Sequence, residues 1–237
     1  MHWKVRLVGL NCDLEELARS LVGGSLLLKP DKHNSYYLTC PQFDACLSEK
    51  DVRDVSKKIL PVLNGAMRLA LGGNVLLTES EVIEVRSDGT EVIYLTFVDG
   101  IGLRSSFSLS VADSDGNVIE EIKPADPVPA WVKAALVDPA IEKVLRLFGK
   151  ALNWGDLYRI FEVIHGDIGG IKKVIELGWL TDAQIELFKR TANHPASAGD
   201  DARHGRQITE PPKKPMTMSE ARAHIETLIH QWLRSKS

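Results

Sequence analysis

The spacing of hydrophobic residues changes about halfway along the chain. In the first half, apolar residues alternate with other residues, as along positions 103–111, where Leu103, Phe107 and Val111 share one face. Such alternation predicts β-strands with one buried side. After Pro129 the apolar residues recur every three or four positions, which predicts helices. The pattern therefore predicts an α+β fold, in which an N-terminal mixed βα region with an antiparallel meander is followed by an all-α helical bundle.

Local signals in the first half mark a long helix and a hairpin. Ser48 precedes a long apolar stripe at helical spacing and predicts a helix start. Pro61 lies within that stripe, so the helix is expected to kink or split there. Asp88 and Gly89 separate two β-rich runs and predict a hairpin, because a type I′ turn needs positive φ.

Two capping boxes mark helix starts in the second half. Thr181 is followed by Gln184, and Thr217 by Glu220, at the spacing that lets each pair cap backbone amides reciprocally. Between these helices, residues 193–216 are polar and contain several Gly and Pro residues. A helix connection of that length is typical of functional or disordered loops.

A proline-rich segment separates the two patterns. Pro124, Pro127 and Pro129 fall where the strand signals stop and the helical spacing starts. The sequence therefore predicts an α+β domain over residues 1–123, a linker over 124–129 and a helical domain over 130–237.

Composition narrows the classes of function. Lys and Arg number 29 against 32 Asp and Glu, for a net charge of -3, so the whole chain has no strong attraction for nucleic acid or anionic membranes. The three cysteines lack the spacing of zinc or redox motifs and are expected to be free thiols in a reducing compartment.

Without a signal peptide or a membrane-spanning run, we expect a cytoplasmic location and no membrane partner. The sequence contains no phosphate-binding loop, dinucleotide fingerprint or metal motif, so no cofactor and no metal are expected.

Charge is nevertheless distributed unevenly. Between positions 79 and 121 there are ten acidic residues and two basic ones, which makes the predicted meander a poor surface for nucleic acid. In the long polar segment, several basic residues lie close together, and this part of the chain is the best candidate for binding phosphate. They are Arg203, His204, Arg206, Lys213 and Lys214.

Arg203 and His204 form the first candidate catalytic pair. An arginine can stabilise charge that develops on a phosphate, and a neighbouring histidine can transfer a proton near neutral pH. Metal-free cleavage of RNA needs little more, because the ribose 2′-hydroxyl supplies the nucleophile. The alternative is a solvated loop in which Asp200 and Asp201 partly neutralise the arginines.

Arg159 and His165 form a second candidate pair on one predicted helix. Six residues apart, they do not share a helical face and converge only if the helix ends between them. The alternative is an exposed arginine together with a helix-terminal histidine that the helix dipole favours.

The C-terminal half resembles the bacterial HEPN class of small helical domains. Asn193, then Arg203-His204-Gly205, then a closing helix over 217–234 are similar to the late Arg or Asn and His of that class. Many of its members are metal-independent ribonucleases or RNA-binding modules of toxin–antitoxin and phage-defence systems, and they often form homodimers. The resemblance covers about the last hundred residues. It departs from the class because Arg203 and His204 are adjacent, whereas the class separates them by several residues.

The resemblance implies RNA as a partner, a homodimer, and cleavage or binding of RNA by the helical domain. In this interpretation Arg203 and His204 contact the scissile phosphate, while Arg206, Lys213 and Lys214 hold the RNA backbone. Asn193 belongs to the expected RNA-binding set, and Arg159 with His165 to the expected catalytic set. The alternative is a non-catalytic module that binds a protein partner through the long loop and the acidic meander.

Overall fold

The computed structural model describes residues 2–72, 75–95, 109–112, 118–122, 127–150, 153–204 and 210–236. The chain divides into two compact units, Met1–Lys133 and Ala134–Ser237. The boundary falls just after the predicted linker 124–129. The α+β fold class is confirmed, because a sheet with helices precedes a helical region.

The first unit contains a five-stranded antiparallel sheet in the order β2-β3-β1-β4-β5, and a separate two-stranded pair, β6 and β7. Helices α1 to α3 contact strands of the five-stranded sheet. The strands are β1 (His2–Val8), β2 (Leu27–Pro30), β3 (Tyr36–Thr39), β4 (Thr78–Val85), β5 (Glu91–Leu95), β6 (Leu109–Ala112) and β7 (Val118–Ile122). The helices are α1 (Asn11–Ser20), α2 (Pro41–Asp44) and α3 (Glu49–Leu71).

Strand β1 is the centre of the sheet and shows the alternation that the sequence predicts. Trp3, Val5 and Leu7 are buried, while the residues between them are partly exposed. Val5 lies opposite Leu38 on β3 and Val82 on β4, and all three side chains are fully buried. This apolar row is the core of the sheet and fixes the register of its three central strands.

Helix α3 starts as predicted but does not break at its proline. Ser48 caps the helix in a complete capping box with Asp51. Pro61 lies inside one continuous helix of 23 residues, so the helix does not split there. The carbonyl group that Pro61 leaves without a partner belongs to Lys57, which is exposed, so water can hydrogen-bond it. Burial of neighbouring residues such as Leu63 offsets the remaining cost.

The hairpin between β4 and β5 forms as predicted, but its turn is not of type I′. Gly89 has a φ of +83°, whereas Asp88 lies outside the positive-φ region. The amide of Thr90 donates to the Asp88 carboxylate at 2.9 Å, an interaction that sets the turn while Asp88 keeps an ordinary φ. Arg86 and Thr90 then close the loop through a backbone hydrogen bond of 2.9 Å.

The described part of the second unit is helical. It is built from α4 (Val128–Ala135), which crosses the boundary between the units, and α5 (Pro139–Phe148), α6 (Trp154–Asp167), α7 (Ile171–Glu176), α8 (Asp182–Asn193), α9 (Pro195–Ala198) and α10 (Met218–Ser235). A single 3₁₀ turn, Gly199–Asp201, follows α9.

Helix α6 is central to the second unit and packs against α5, α8 and α10. Its residues Leu157, Ile160 and Ile164 are fully buried at the three- and four-residue spacing of one helical face. Both predicted capping boxes form, at Thr181 for α8 and at Thr217 for α10. The helix starts of this unit therefore follow from local sequence, and the apolar stripes hold the helices together.

A polar anchor in the first unit joins α3 to the chain that enters β4. The Asn64 side chain donates to the Leu77 carbonyl at 2.9 Å and accepts from the Leu77 amide at 2.8 Å. Both residues are buried, so the pair satisfies two backbone groups that water does not reach.

We expect Asn64→Ala to lower the free energy of unfolding by about 2–4 kcal/mol, because it leaves two buried backbone groups without partners. Urea denaturation followed by circular dichroism measures this change. Lys58→Ala, at an exposed position on the same helix, is the matched control and should change stability little. Equal effects of the two substitutions would contradict the claim that the hydrogen bonds of Asn64 to Leu77 stabilise the fold.

Candidate functional site

Helix α6 carries the framework of the candidate site. Asn153 caps it, because its side chain accepts from the Asp156 amide at 2.8 Å. The buried face described above holds the helix in the core, which leaves Arg159 and Glu162 on the side facing solvent. Both polar residues therefore stand on a rigid element rather than on a loop.

The segment after α8 returns the chain to α6. His194 caps the short α9 by accepting from the Ala196 amide at 3.1 Å. The Arg203 amide then donates to the Ala192 carbonyl near the end of α8, at 2.9 Å. This backbone hydrogen bond fixes the start of the Arg203 side chain beside the C-terminal part of α8.

A polar cleft of about 460 Å³ lies between α6 and this segment. It brings together Arg159 and Arg203, which the sequence placed in two separate candidate pairs 44 positions apart. Its described lining consists of Asn153, Gly155, Arg159, Glu162, Asp200, Asp201, Ala202 and Arg203.

Arg203 contacts α6 in two ways. Its guanidinium donates to the Glu162 carboxylate at 2.8 Å, and it lies over the Tyr158 ring at 4.3 Å from the centroid. The side chains of Arg203 and Glu162 are 38% and 41% exposed, so the ion pair is a surface contact. Such a pair contributes little to stability, but it sets where the guanidinium lies.

Tyr158 belongs to an aromatic cluster that joins α6 to α8. Its ring stacks on Phe188 with centroids 6.0 Å apart and planes 17° apart, and it meets Phe161 edge-on at 6.2 Å. Tyr158 is only 6% exposed although Arg203, which lies over it, is exposed. Arg203 is therefore one of the groups that cover the tyrosine ring.

Arg159 is held less tightly than Arg203. It donates to the Asp156 carboxylate at 3.2 Å, three residues earlier on the same helix. Its side chain is 64% exposed, whereas that of Asp156 is 10% exposed. A guanidinium has five N–H donors, so most of those on Arg159 remain available to a ligand in the cleft.

The carboxylates of the cleft do not follow the alternative in which Asp200 and Asp201 neutralise the arginines. Asp200 and Asp201 line the cleft and are exposed, but within the described part of the chain neither forms an ion pair with Arg159 or Arg203. Glu162 is the residue that pairs with Arg203. The guanidinium of Arg203 is therefore paired with a glutamate that is distant in sequence, and not with the adjacent acidic dipeptide.

Neither predicted histidine is part of the cleft lining. His165 lies in the last turn of α6, with its ring 4.8 Å from that of Phe161. Burial lowers the pKa of His165 below its ordinary value of 6.5, and the nearby Glu162 carboxylate opposes that shift. His204 is exposed, directly after Arg203. The structure thus groups the two arginines, while each histidine lies outside the lining of the cleft.

The remaining predicted residues occupy the same unit. Asn193 ends α8, and its side-chain oxygen is buried without a hydrogen-bond partner among the described residues. Lys213 and Lys214 are exposed between the 3₁₀ turn and α10. Arg206 lies outside the described residues.

Sequence reasoning missed the two residues that position Arg203. Glu162 and Tyr158 are more than 40 positions away from it and look like ordinary members of a helix. The only signal was an aromatic residue beside a charged one, a pattern that most amphipathic helices show.

Comparisons with family models, curated proteins and solved structures found no match for this chain. The resemblance to HEPN domains therefore stays a prediction. Among the described residues, no cluster of three or more His, Cys, Asp or Glu is placed to hold a metal ion. None of the described helices has the length and apolar character needed to cross a bilayer.

Burial of His165 makes stability depend on pH. Because its pKa is lower in the folded protein than in the unfolded chain, the unfolded chain binds more protons as the pH falls below 6.5. The contribution of His165 to stability is therefore complete above pH 6.5 and decreases as the pH falls toward its folded pKa.

We expect His165→Gln to reduce the loss of unfolding free energy between pH 7.5 and pH 5, as measured by urea denaturation. His204→Gln, at an exposed position, is the control and should keep the wild-type pH dependence. An unchanged pH dependence in His165→Gln would show that its burial is not linked to stability.

Proposed function

We propose that the C-terminal unit binds RNA, with Arg159 and Arg203 holding phosphate in the cleft between α6 and the segment after α8. The observation that carries the proposal is that these two guanidinium groups, from distant parts of the chain, line one cleft. Each is held by one carboxylate, which orients it and leaves further N–H donors for a ligand.

The size of the cleft suits a segment of a polymer. A volume of about 460 Å³ lies within the range that binds ligands of nucleotide size. The cleft is open and polar, as a site must be if RNA is to pass through it rather than be enclosed by it. Two arginines then contact phosphates, because the two non-bridging oxygens of a phosphodiester match the planar fork of a guanidinium.

The basic residues beyond the cleft extend the proposed surface. Lys213 and Lys214 are exposed in the same unit, and in this proposal they contact the RNA backbone. His204 and Arg206 belong to the same proposal because they follow Arg203 closely in the sequence, and Asn193 because its side-chain amide can form hydrogen bonds.

The acidic residues of the cleft limit this binding. Glu162, Asp200 and Asp201 outnumber the two arginines, so the cleft as a whole has no excess positive charge. Binding should therefore be modest in affinity, and its electrostatic part should be confined to the few phosphates that touch an arginine or a lysine.

We expect Arg159→Gln and Arg203→Gln each to weaken binding of a single-stranded RNA oligomer. Each should also lower the salt dependence of binding by about one unit in the slope of log affinity against log salt concentration. Fluorescence anisotropy of a labelled oligomer at several salt concentrations measures both effects.

Arg146→Gln is the matched control for this experiment. Arg146 also pairs with a carboxylate on its own helix, donating to Glu142 at 2.7 Å, but it does not line the cleft. It should leave affinity and salt dependence near those of the wild type. Absence of RNA binding by the wild-type protein would refute the proposed function, and an equal effect of all three variants would refute the assignment of the cleft.

Cleavage of the bound RNA is the further step of this proposal. It requires a histidine to reach a phosphate that the arginines hold, and His204 is the nearest along the chain. In this mechanism the ribose 2′-oxygen bonds to the adjacent phosphorus as the bond from phosphorus to the 5′-oxygen breaks, which leaves a 2′,3′-cyclic phosphate and a 5′-hydroxyl. A histidine assists the transfer of the proton from the 2′-hydroxyl to the leaving 5′-oxygen, without a metal.

Degradation of RNA should then continue in the presence of a chelator and be lost in His204→Ala. His165→Ala tests the second predicted pair in the same assay. If RNA binds but stays intact with the wild-type protein, the function is binding alone; if cutting survives both substitutions, neither histidine is catalytic.

A further inference from the structure

Arg203 covers the face of an aromatic ring that is otherwise well placed to bind a base. Its guanidinium lies 4.3 Å from the centroid of Tyr158, and Tyr158 is almost fully buried beneath it. Phe188 stacks near-parallel with Tyr158, with ring planes 17° apart, and supports it from within the core. The ring is therefore rigid and has a charged, displaceable cover.

The contacts that hold the cover in place are weak. The Arg203–Glu162 ion pair is more than one-third exposed on both sides, and such a pair changes an equilibrium by roughly fivefold at most. A cation over an aromatic ring at an exposed site adds a similar factor. Stacking of one nucleobase on an aromatic side chain is worth about fivefold to a hundredfold in affinity. A base can therefore replace the guanidinium on the ring at little net cost.

We propose that Tyr158 is a stacking platform for one unpaired nucleobase, and that Arg203 covers it until RNA binds. This inference rests on the proposed RNA binding and names the part of the RNA that the site recognises. When the base takes its place, the Arg203 guanidinium moves into the cleft, which it already lines, and contacts the phosphate next to that base. One movement thus exposes the platform and supplies a charge-assisted contact.

The geometry favours single strands over duplexes. A base that stacks on Tyr158 must leave its own stack and its pairing partner, which costs a duplex more than a flexible strand. The aromatic contact is also independent of salt, in contrast to the contacts from Arg159 and the lysines. A part of the affinity should therefore persist when salt is raised.

The test compares an oligoadenylate with an abasic ribose-phosphate oligomer of the same length and charge. Wild-type protein should bind the oligoadenylate at least about fivefold more tightly, since only this oligomer can stack. Tyr158→Phe keeps the ring and should keep this preference, whereas Tyr158→Leu should bind both oligomers equally. A 2-aminopurine in the oligomer should lose fluorescence on binding to wild-type protein and to Tyr158→Phe, but not to Tyr158→Leu.

Tyr37→Leu is the matched control, because Tyr37 also lies beneath a cation, with the Lys4 ammonium 4.7 Å from its ring, but belongs to the first unit. It should behave as the wild type.

Equal binding of both oligomers by wild-type protein would overturn the platform while leaving the proposed RNA binding intact. Binding of neither oligomer would instead refute the proposed function itself. Equal binding of both oligomers by the wild type overturns the platform even if Tyr158→Leu fails to fold.

Discussion

The aromatic contact between α6 and α8 determines the geometry of the candidate site. Tyr158 and Phe161 on α6 meet Phe188 on α8, at centroid distances of 6.0 and 5.7 Å. Aromatic pairs of this kind add to the burial of the rings and restrict how the helices rotate. Because the end of α8 receives the Arg203 amide, the same contact places Arg203 over α6. Loosening this packing would move both walls of the cleft.

The elements could largely be predicted from the sequence because their causes are local. Ser48, Thr181 and Thr217 each precede their helix by one residue, and capping acts over three positions. The outcome at Pro61 could not be predicted, because tertiary burial along α3 outweighs the local cost of proline. The turn at Asp88 was also decided by a side-chain contact that a two-residue motif does not specify.

The sequence predicted the candidate residues of the site but not which of them come together. Arg159 and Arg203 stood out by residue type, but their common cleft depends on the return of the chain after α8, which no local pattern encodes. The partner of Arg203 was also unpredictable, since Asp200 and Asp201 are nearer along the chain than Glu162. Proximity in sequence favours a contact only when the backbone directs both side chains to one place, and here the helix supplies the carboxylate instead.

The charge balance of the cleft decides which interactions can give it affinity. With two arginines and three carboxylates in the cleft, the release of counterions would supply only a small part of the free energy of the proposed RNA binding. A second, non-ionic contribution is therefore needed for any useful affinity. In our proposal Tyr158 provides it, because its ring is supported by Phe188 and lies beneath the guanidinium of Arg203, which a base would replace. In the proposed function, the acids that weaken phosphate binding would thus make base stacking the contribution that distinguishes a single strand from other polyanions.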